Sequence, residues 1–374
     1  MKAKVIDISS WEILPFSTKG TRDKCIVQSP DKIVFYFKAS LKKKSKKSDG
    51  KTREYPYEFW SEIIACRIAT LLGFEALQYD VAYRKTEDEF SVGCISQSMQ
   101  SDAEALFFGY DLIIGFSPTF EETHKRNHRL PLICKTLEHH KLSEYRHKII
   151  ECLVLDAIIG NTDRHSENWA IISRYEDVKG NDSYSYMNES WNSSSLDPND
   201  KIKEPLKKKK KEKLVSLIKT ERVAREGNIP NRKWDRQHAR LAPIYDSGSS
   251  LGREYQDDKL KEMLEKDAAL DKYIKGGHPD IQIKEGGTRR TFLECIEDLC
   301  QDYRDDMKCI FEQNISQIDS KQIDEMLDAV DQDAKGIIPM ELCLSSTRKS
   351  FISRLVNKRI EYIKDIIRTY VPVS

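Results

Sequence analysis

In the stretch IIGNTDRHSENWAII, positions 158–172, Asp163 and Asn168 stand five residues apart between two apolar runs. An aspartate so placed can orient or accept the proton of an attacking hydroxyl, and an asparagine amide oxygen can hold magnesium; together they suit phosphoryl transfer. A loop anchored at both ends by packed elements can aim such groups accurately. The same residues also suit a polar loop in which Asp and Asn cap a turn.

Phosphoryl transfer needs more than this pair, and the chain offers candidates in a consistent order. Residues 16–24, FSTKGTRDK, carry Ser17, Thr18, Gly20 and Thr21, whose hydroxyls and backbone N–H groups can cover phosphates. The segment is neither a Walker loop nor GxGxxG. Lys38 ends the run IVFYFK and can neutralise phosphate charge, with Glu62 on the next helix fixing its position. Otherwise Lys38 is a strand-end residue snorkelling to water and Glu62 a solvent-facing carboxylate. Asp246, at the end of the β-like run in LAPIYDSGSSLG (241–252), can chelate magnesium between phosphates, or else forms a plain Asp-Ser-Gly turn.

The elements that must position these residues follow from periodicity. KCIVQSPDKIVFYFK (24–38) predicts a β-hairpin turning at Ser29-Pro30-Asp31. YEFWSEIIACRIATLLG (57–73) predicts an amphipathic helix ending at Gly73. DVAYRKTEDEFSVGCISQSM predicts two strands around a polar turn. HKIIECLVLDAIIG predicts an apolar helix ending at Gly160, and WAII a short buried strand. FLECIEDLC, IDEMLDAV and FISRLVNKRIEYIKDIIRTY carry helical periodicity. The expected fold class is therefore α+β, with a small β-rich N-lobe over residues 1–98 and a mainly helical C-lobe over 99–374. Composition shifts sharply across 175–235, which is expected to be a lysine-rich, partly disordered insertion. Its Lys207–Lys211 run suits a solvated face, a localisation signal or an acid-binding patch.

Bulk properties exclude several classes. The 374 residues are 39% hydrophobic and 33% charged, as in a globular protein with a busy surface. A net charge of +1 gives no reason to expect a nucleic-acid partner. Nine scattered cysteines without a CxxC pair favour reduced thiols over disulfides or zinc. With no signal peptide and no membrane span, cytoplasmic residence is expected. DQDAKGIIPMEL hints at a calcium loop, but Lys335 and Leu342 fall where oxygen ligands are needed. His124, His128, His139 and His140 lack metal-spaced companions and are expected at the surface.

GNTDRHSENWAII and APIYDSGSSLG resemble the catalytic and metal-binding motifs of HipA-like serine/threonine kinases. FYFK, WSEIIACRIATLLGF and SVGCISQSM are similar to that family's lysine strand, N-lobe helix and strand leading to the hinge. The resemblance covers residues 15–172 and 240–370. It implies a bilobal protein-kinase-like fold that uses ATP and Mg2+. It implies Asp163 as catalytic aspartate, Asn168 and Asp246 as metal ligands, and Lys38 on the phosphates. It places a hinge at Ser96, Gln97, Ser98 and Met99, where backbone groups meet adenine. His165 fits the family's Asp-x-His pattern and is expected to order the loop. The family carries an additional N-terminal subdomain that contributes to antitoxin contact. Only residues 1–15 precede the phosphate loop here, so an antitoxin partner is not expected.

The functional expectation is a kinase transferring the γ-phosphate of ATP to a serine or threonine hydroxyl of a protein substrate. A small-molecule or lipid-headgroup kinase of the same fold is the alternative within enzymes. A catalytically silent nucleotide-binding module is the alternative outside them.

Overall fold

The computed structural model describes residues 1–15, 24–39, 41–44, 52–101, 103–117, 120, 128–177, 232–234, 238–286 and 288–372. Eight strands and a helix open the chain: β1 (Val5–Asp7), β2 (Glu12–Leu14), β3 (Lys24–Gln28), β4 (Val34–Ala39), β5 (Leu41–Lys44), β6 (Thr52–Tyr55), α1 (Glu58–Leu71), β7 (Asp80–Lys85) and β8 (Phe90–Gln97). Six of the strands form one sheet in the order β1-β7-β8-β4-β3-β2. β1 runs parallel to β7, and the other neighbours are antiparallel. The hairpin expected over 24–38 is β3–β4, with Lys24 opposite Lys38 and Gln28 opposite Val34. Its turn closes through the Ser29 N–H on the Ile33 carbonyl at 2.9 Å.

The two-residue period of a strand separates the faces of this sheet. Ile8, Val27, Phe37, Ala82 and Ile95 form a buried apolar cluster, with Cys25 and Phe35 against it. Lys24 and Lys38 alternate with these residues and so lie on the opposite face, the one that meets Glu62 on α1. The expected amphipathic pattern of α1 is not found: every residue from Glu58 to Ala69 is buried. The helix packs against β7 and β8 and also against a C-terminal helix, Ser320–Val330, so both faces are covered.

The C-terminal region is mainly helical. After β9 (Glu104–Phe108) come α2 (Gly109–Phe116), α3 (Leu130–His139) and α4 (Arg146–Ile159). Then follow β10 (Ala170–Asp177), β11 (Arg232–Trp234), β12 (Arg240–Leu241), α5 (Asp257–Glu265), α6 (Asp267–Gly276), α7 (Phe292–Asp302), α8 (Arg304–Ile310), α9 (Ser320–Val330) and α10 (Ser346–Tyr370). α7 starts with the capping box that its sequence specifies. The Thr291 N–H donates to Glu294 Oε2 at 2.7 Å, and the Glu294 N–H donates to Thr291 Oγ1 at 3.4 Å. The 25-residue α10 packs against α4, α5, α7 and α9 and organises the helical core. No described helix is long and apolar enough to cross a membrane.

By contact, Met1–Ser101, Phe107–Ile171 and Leu241–Ser374 make one compact unit, and Asp102–Leu106 with Ile172–Arg240 a second. Within the second, Arg240 pairs with Glu104 at 3.3 Å.

Two local expectations need correction. The LAPIYD run is not a regular strand up to Asp246: β12 ends at Leu241, and Ile244 only bridges Ala76. His128 is buried, not a surface residue. Burial, then the nearby His165, push its pKa down to about 3, and its Nε2 accepts from the Trp169 indole at 3.4 Å. At the rejected calcium loop, Asp331 is fully buried and paired with Lys349 at 2.6 Å. All nine cysteines are free thiols.

Candidate active site

Lys38 and Glu62, 24 residues apart, meet because α1 packs on β7 and β8, and β4, which carries Lys38, is the next strand to β8 in the same sheet. Lys38 Nζ lies 3.1 Å from Glu62 Oε1 and 3.3 Å from Asp246 Oδ1. Burial alone would depress the ammonium, but Asp246 and Glu62 outweigh it and hold its pKa well above the ordinary lysine value. Lys38 is therefore a fixed positive charge. Glu62 is held in turn: its Oε2 accepts the Ser247 N–H at 2.8 Å. The approach is close enough that a Cβ on Gly248 would stand 3.0 Å from Glu62 Cγ and Oε1. A side chain at position 248 would therefore press on Glu62.

Asp246 itself has φ +55, a left-handed conformation that aspartate tolerates better than most side chains. Its N–H donates to the Tyr79 hydroxyl at 3.4 Å, and Lys38 Nζ sits 5.3 Å from the centre of the Tyr79 ring. A second lysine, Lys24, is 3.7 Å from Asp246 Oδ2.

The Asp163 loop begins where α4 ends at Gly160, whose φ of +73 turns the chain out of the helix. The loop is built on one buried carboxylate, Asp156 in the last turns of α4. Asn161 Nδ2 donates to Asp156 Oδ1 at 2.9 Å, and Asn161 Oδ1 accepts the Asp163 N–H at 3.3 Å. Asn168 Nδ2 donates to the Asp163 carbonyl at 2.6 Å, leaving the amide oxygen of Asn168 as its remaining ligand atom. Asp163 Oδ2 accepts from Ser249 Oγ at 3.4 Å. The Glu167 N–H donates to His165 Nδ1 at 3.2 Å, which ties His165 into the loop.

Arg164 joins this loop to the Asp246 segment. Its Nε and Nη2 donate to the two Asp156 oxygens at 2.9 and 2.8 Å. Nη1 donates to the Asn168 carbonyl at 3.0 Å and to the Tyr245 carbonyl, and Nη2 reaches Ser247 Oγ at 3.0 Å. Burial opposes its charge, but Asp156 more than compensates and its pKa is raised. The Tyr245 hydroxyl adds a bond to the Glu167 carbonyl at 2.8 Å, and the Thr162 N–H one to Ser249 at 3.3 Å.

The structure thus gathers Lys38, Glu62 and Asp246 into one ion-paired cluster and fastens the loop carrying Asp163 and Asn168 to it. Of the hinge set, Ser96 is buried in β8, Gln97 is exposed, and Ser98 and Met99 are half-buried. The Ser98 N–H already donates to the Val34 carbonyl at 2.9 Å. Ser17, Thr18, Gly20 and Thr21 lie outside the described residues. Arg164, Tyr79 and Lys24 were not singled out from the sequence. For Arg164 a signal existed: an aspartate inside the apolar run LVLDAIIG requires a buried cation, and Arg164 follows eight residues later.

The donor set fits a magnesium–nucleotide complex. Asn168 Oδ1 and the Asp246 carboxylate are hard oxygen donors of the kind magnesium takes alongside phosphate oxygens and water. Lys38 adds a positive charge beside them. Among the described residues no cluster of three or more His, Cys, Asp or Glu could hold a metal without such help.

No protein-family model and no curated protein sequence matches the chain. Among solved structures, the chain is similar to the Helicobacter pylori proinflammatory kinase CtkA. Identity is 15%, coverage is 98% of this chain and 97% of that one, and the TM-score is 0.61. This likeness defines the fold as α+β and protein-kinase-like, with a β-sheet N-terminal region and a helical C-terminal region. The Golgi casein kinase (10% identity, 98% and 72% coverage, TM-score 0.42) and hydra Fam20 with sugar (13%, 98% and 90%, 0.40) are too distant to add weight.

Proposed function

We propose that the protein is an ATP- and magnesium-dependent kinase that phosphorylates serine or threonine hydroxyls of a protein substrate, in the manner of HipA-like kinases. The observation that carries this reading is the Lys38–Glu62–Asp246 cluster, tied through Arg164 to the loop bearing Asp163 and Asn168. In this reading residues 1–98 supply the nucleotide-facing lysine and hinge, and residues 99–374 supply the catalytic and metal loops. The stretch 175–235 interrupts the chain between the two aspartate motifs.

The reaction breaks the bond between the γ-phosphorus and its bridging oxygen and forms one to the acceptor hydroxyl oxygen. Asp163 orients that hydroxyl and receives its proton. Asn168 Oδ1 and Asp246 would hold magnesium, and the bound ion would supply neutralisation of phosphate charge. Lys38, kept in place by Glu62, adds a fixed positive charge at the phosphates. Ser17, Thr18, Gly20 and Thr21, outside the described residues, are the proposed cover of the phosphates, and backbone groups from Ser96 to Met99 other than the Ser98 N–H, which the Val34 carbonyl holds, are the proposed contacts to adenine. Positioning and electrostatics supply most of the rate.

The test is label transfer from [γ-32P]ATP with magnesium, alone and with cell lysate, comparing wild type with Asp163→Ala. Removal of a general base lowers transfer by about 10²–10⁴-fold, while the melting temperature stays close to wild type. Protein labelling that is equal in the two would sink the assignment. ATP consumption without protein labelling would redirect it to a small-molecule acceptor.

A further inference from the structure

Asp163 is half-buried on a loop, and a catalytic carboxylate there needs something to aim it. Its backbone is held on both sides, by Asn161 Oδ1 on the N–H at 3.3 Å and by Asn168 Nδ2 on the carbonyl at 2.6 Å. Those bonds fix the main chain and leave the two side-chain torsions open. Among the described residues, the hydrogen bond that reaches the carboxylate comes from Ser249 Oγ, 3.4 Å from Oδ2.

The position of Ser249 is set independently of that contact. The segment after Asp246 runs beside the loop: the Thr162 N–H donates to the Ser249 carbonyl at 3.3 Å, and the Leu251 N–H to the Ile159 carbonyl at 3.1 Å. Ser250 is tied to α1 by Ser61 Oγ, which donates to its carbonyl at 3.2 Å, and its own hydroxyl closes on the Ser247 carbonyl at 2.6 Å. Asp246 and Leu251 bound the segment with φ of +55 and +57. Leucine seldom adopts that conformation, and it persists only where the surroundings over-determine it. The three serines of the segment are all buried and have separate tasks. Ser247 Oγ accepts from Arg164, Ser250 closes its own turn, and Ser249 is directed at Asp163. A contact of 3.4 Å is longer than the usual O–H···O bond of about 2.5–3.0 Å, so the bond from the Thr162 N–H is what keeps the hydroxyl within reach.

We propose that Ser249 is a positioning residue for Asp163: its hydroxyl holds Oδ2 and so presents Oδ1 to the acceptor hydroxyl. This rests on the kinase reading of the same site. A carboxylate with one oxygen held offers the other in a defined direction, and orientation of that kind acts on the transfer step, not on nucleotide binding. The segment that carries the metal carboxylate Asp246 would then also aim the catalytic one.

The test is the initial rate of γ-phosphate transfer from [γ-32P]ATP with magnesium to protein of a heat-treated cell lysate, measured against ATP concentration for the full chain. It compares wild type, Ser249→Ala and Ser249→Thr, with Asp163→Ala as the blank. Loss of one hydrogen bond to a charged group lowers kcat by about tenfold in Ser249→Ala, leaves the KM for ATP unchanged, and is largely restored by Ser249→Thr, which keeps the hydroxyl. If the threonine variant melts early, Ser249→Cys takes its place and, as a weaker donor, restores part of the rate. Equal kcat in Ser249→Ala and wild type overturns the inference. So does a loss that appears in KM as well as kcat and that no hydroxyl or thiol restores, which marks a structural role. A wild-type rate no higher than the blank overturns the kinase reading itself, and this inference with it. Transfer above the blank without a Ser249 effect overturns this inference alone.

Discussion

The Asp156–Arg164 pair and the Lys38–Asp246 pair are both enclosed cation–carboxylate systems, and they differ in how far they are shut off from solvent. Every guanidinium nitrogen of Arg164 has a partner, and the pair is 1% and 0% exposed. The second cluster is more open to solvent. Asp246 remains 16% exposed, has two lysines at 3.3 and 3.7 Å, and carries a left-handed backbone. A fully satisfied buried network rigidifies its surroundings and has no group to offer a ligand. A partly exposed one has surface that a ligand can reach. The first system suits positioning and the second suits binding, although both are built from the same kinds of charge.

The largest expected effect comes from breaking the closed network. Arg164→Met leaves Asp156 buried without its cation and lowers stability by about 3–5 kcal/mol, read from urea unfolding. The double variant Asp156→Leu/Arg164→Met removes the orphaned charge and recovers part of this. Full recovery is not expected, because the Asn168 and Tyr245 carbonyls still lack their donor. A single variant as stable as wild type would refute the positioning role.

Next in size is Glu62→Gln. The amide oxygen can still accept the Ser247 N–H, and Lys38 keeps Asp246 as partner. Stability should change by no more than about 1 kcal/mol, while the apparent KM for ATP rises about tenfold because Lys38 is less well fixed. A large stability loss with unchanged KM would mean that the open cluster is structural as well.

At neutral pH the smallest effect belongs to His128, whose contribution appears only as the pH falls. His128 is held neutral by burial, with its pKa pushed down to about 3, whereas in the unfolded chain it titrates near the ordinary imidazole value of 6.5. Because the folded value is depressed, stability is full above pH 6.5. It falls by up to about 1.4 kcal/mol per pH unit between 6.5 and 3. His128→Phe should flatten this acid limb in denaturant titrations. An unchanged slope would show that other groups govern it.

Much of the candidate site was legible along the chain because phosphoryl transfer would call for particular residue types at short spacing. Asp163 and Asn168 lie on one loop between apolar runs, and Gly160 ends the preceding helix at a position that needs positive φ. The β3–β4 hairpin followed from alternation and its Ser-Pro-Asp turn, so Lys38 could be put at a strand end. Other features depend on what surrounds an element. An amphipathic stripe was expected on α1, but the helix is covered by β7 and β8 on one side and by α9 on another, and periodicity cannot report a second covering layer. His128 sits among ordinary loop residues in sequence, and only the packing of Trp169 against it makes it internal.

The sequence by itself determined the α+β order of elements, the polar loop between α4 and β10, and the candidate side chains for phosphoryl transfer. These rest on local rules: strand and helix periods, glycine ends and fixed motif spacing. Only the tertiary structure decided which charges share a partner. Lys38 and Asp246 are 208 residues apart, and Arg164 reaches Ser247 across 83. Ion pairing depends on distance and burial in three dimensions, and neither is encoded at any fixed spacing along the chain.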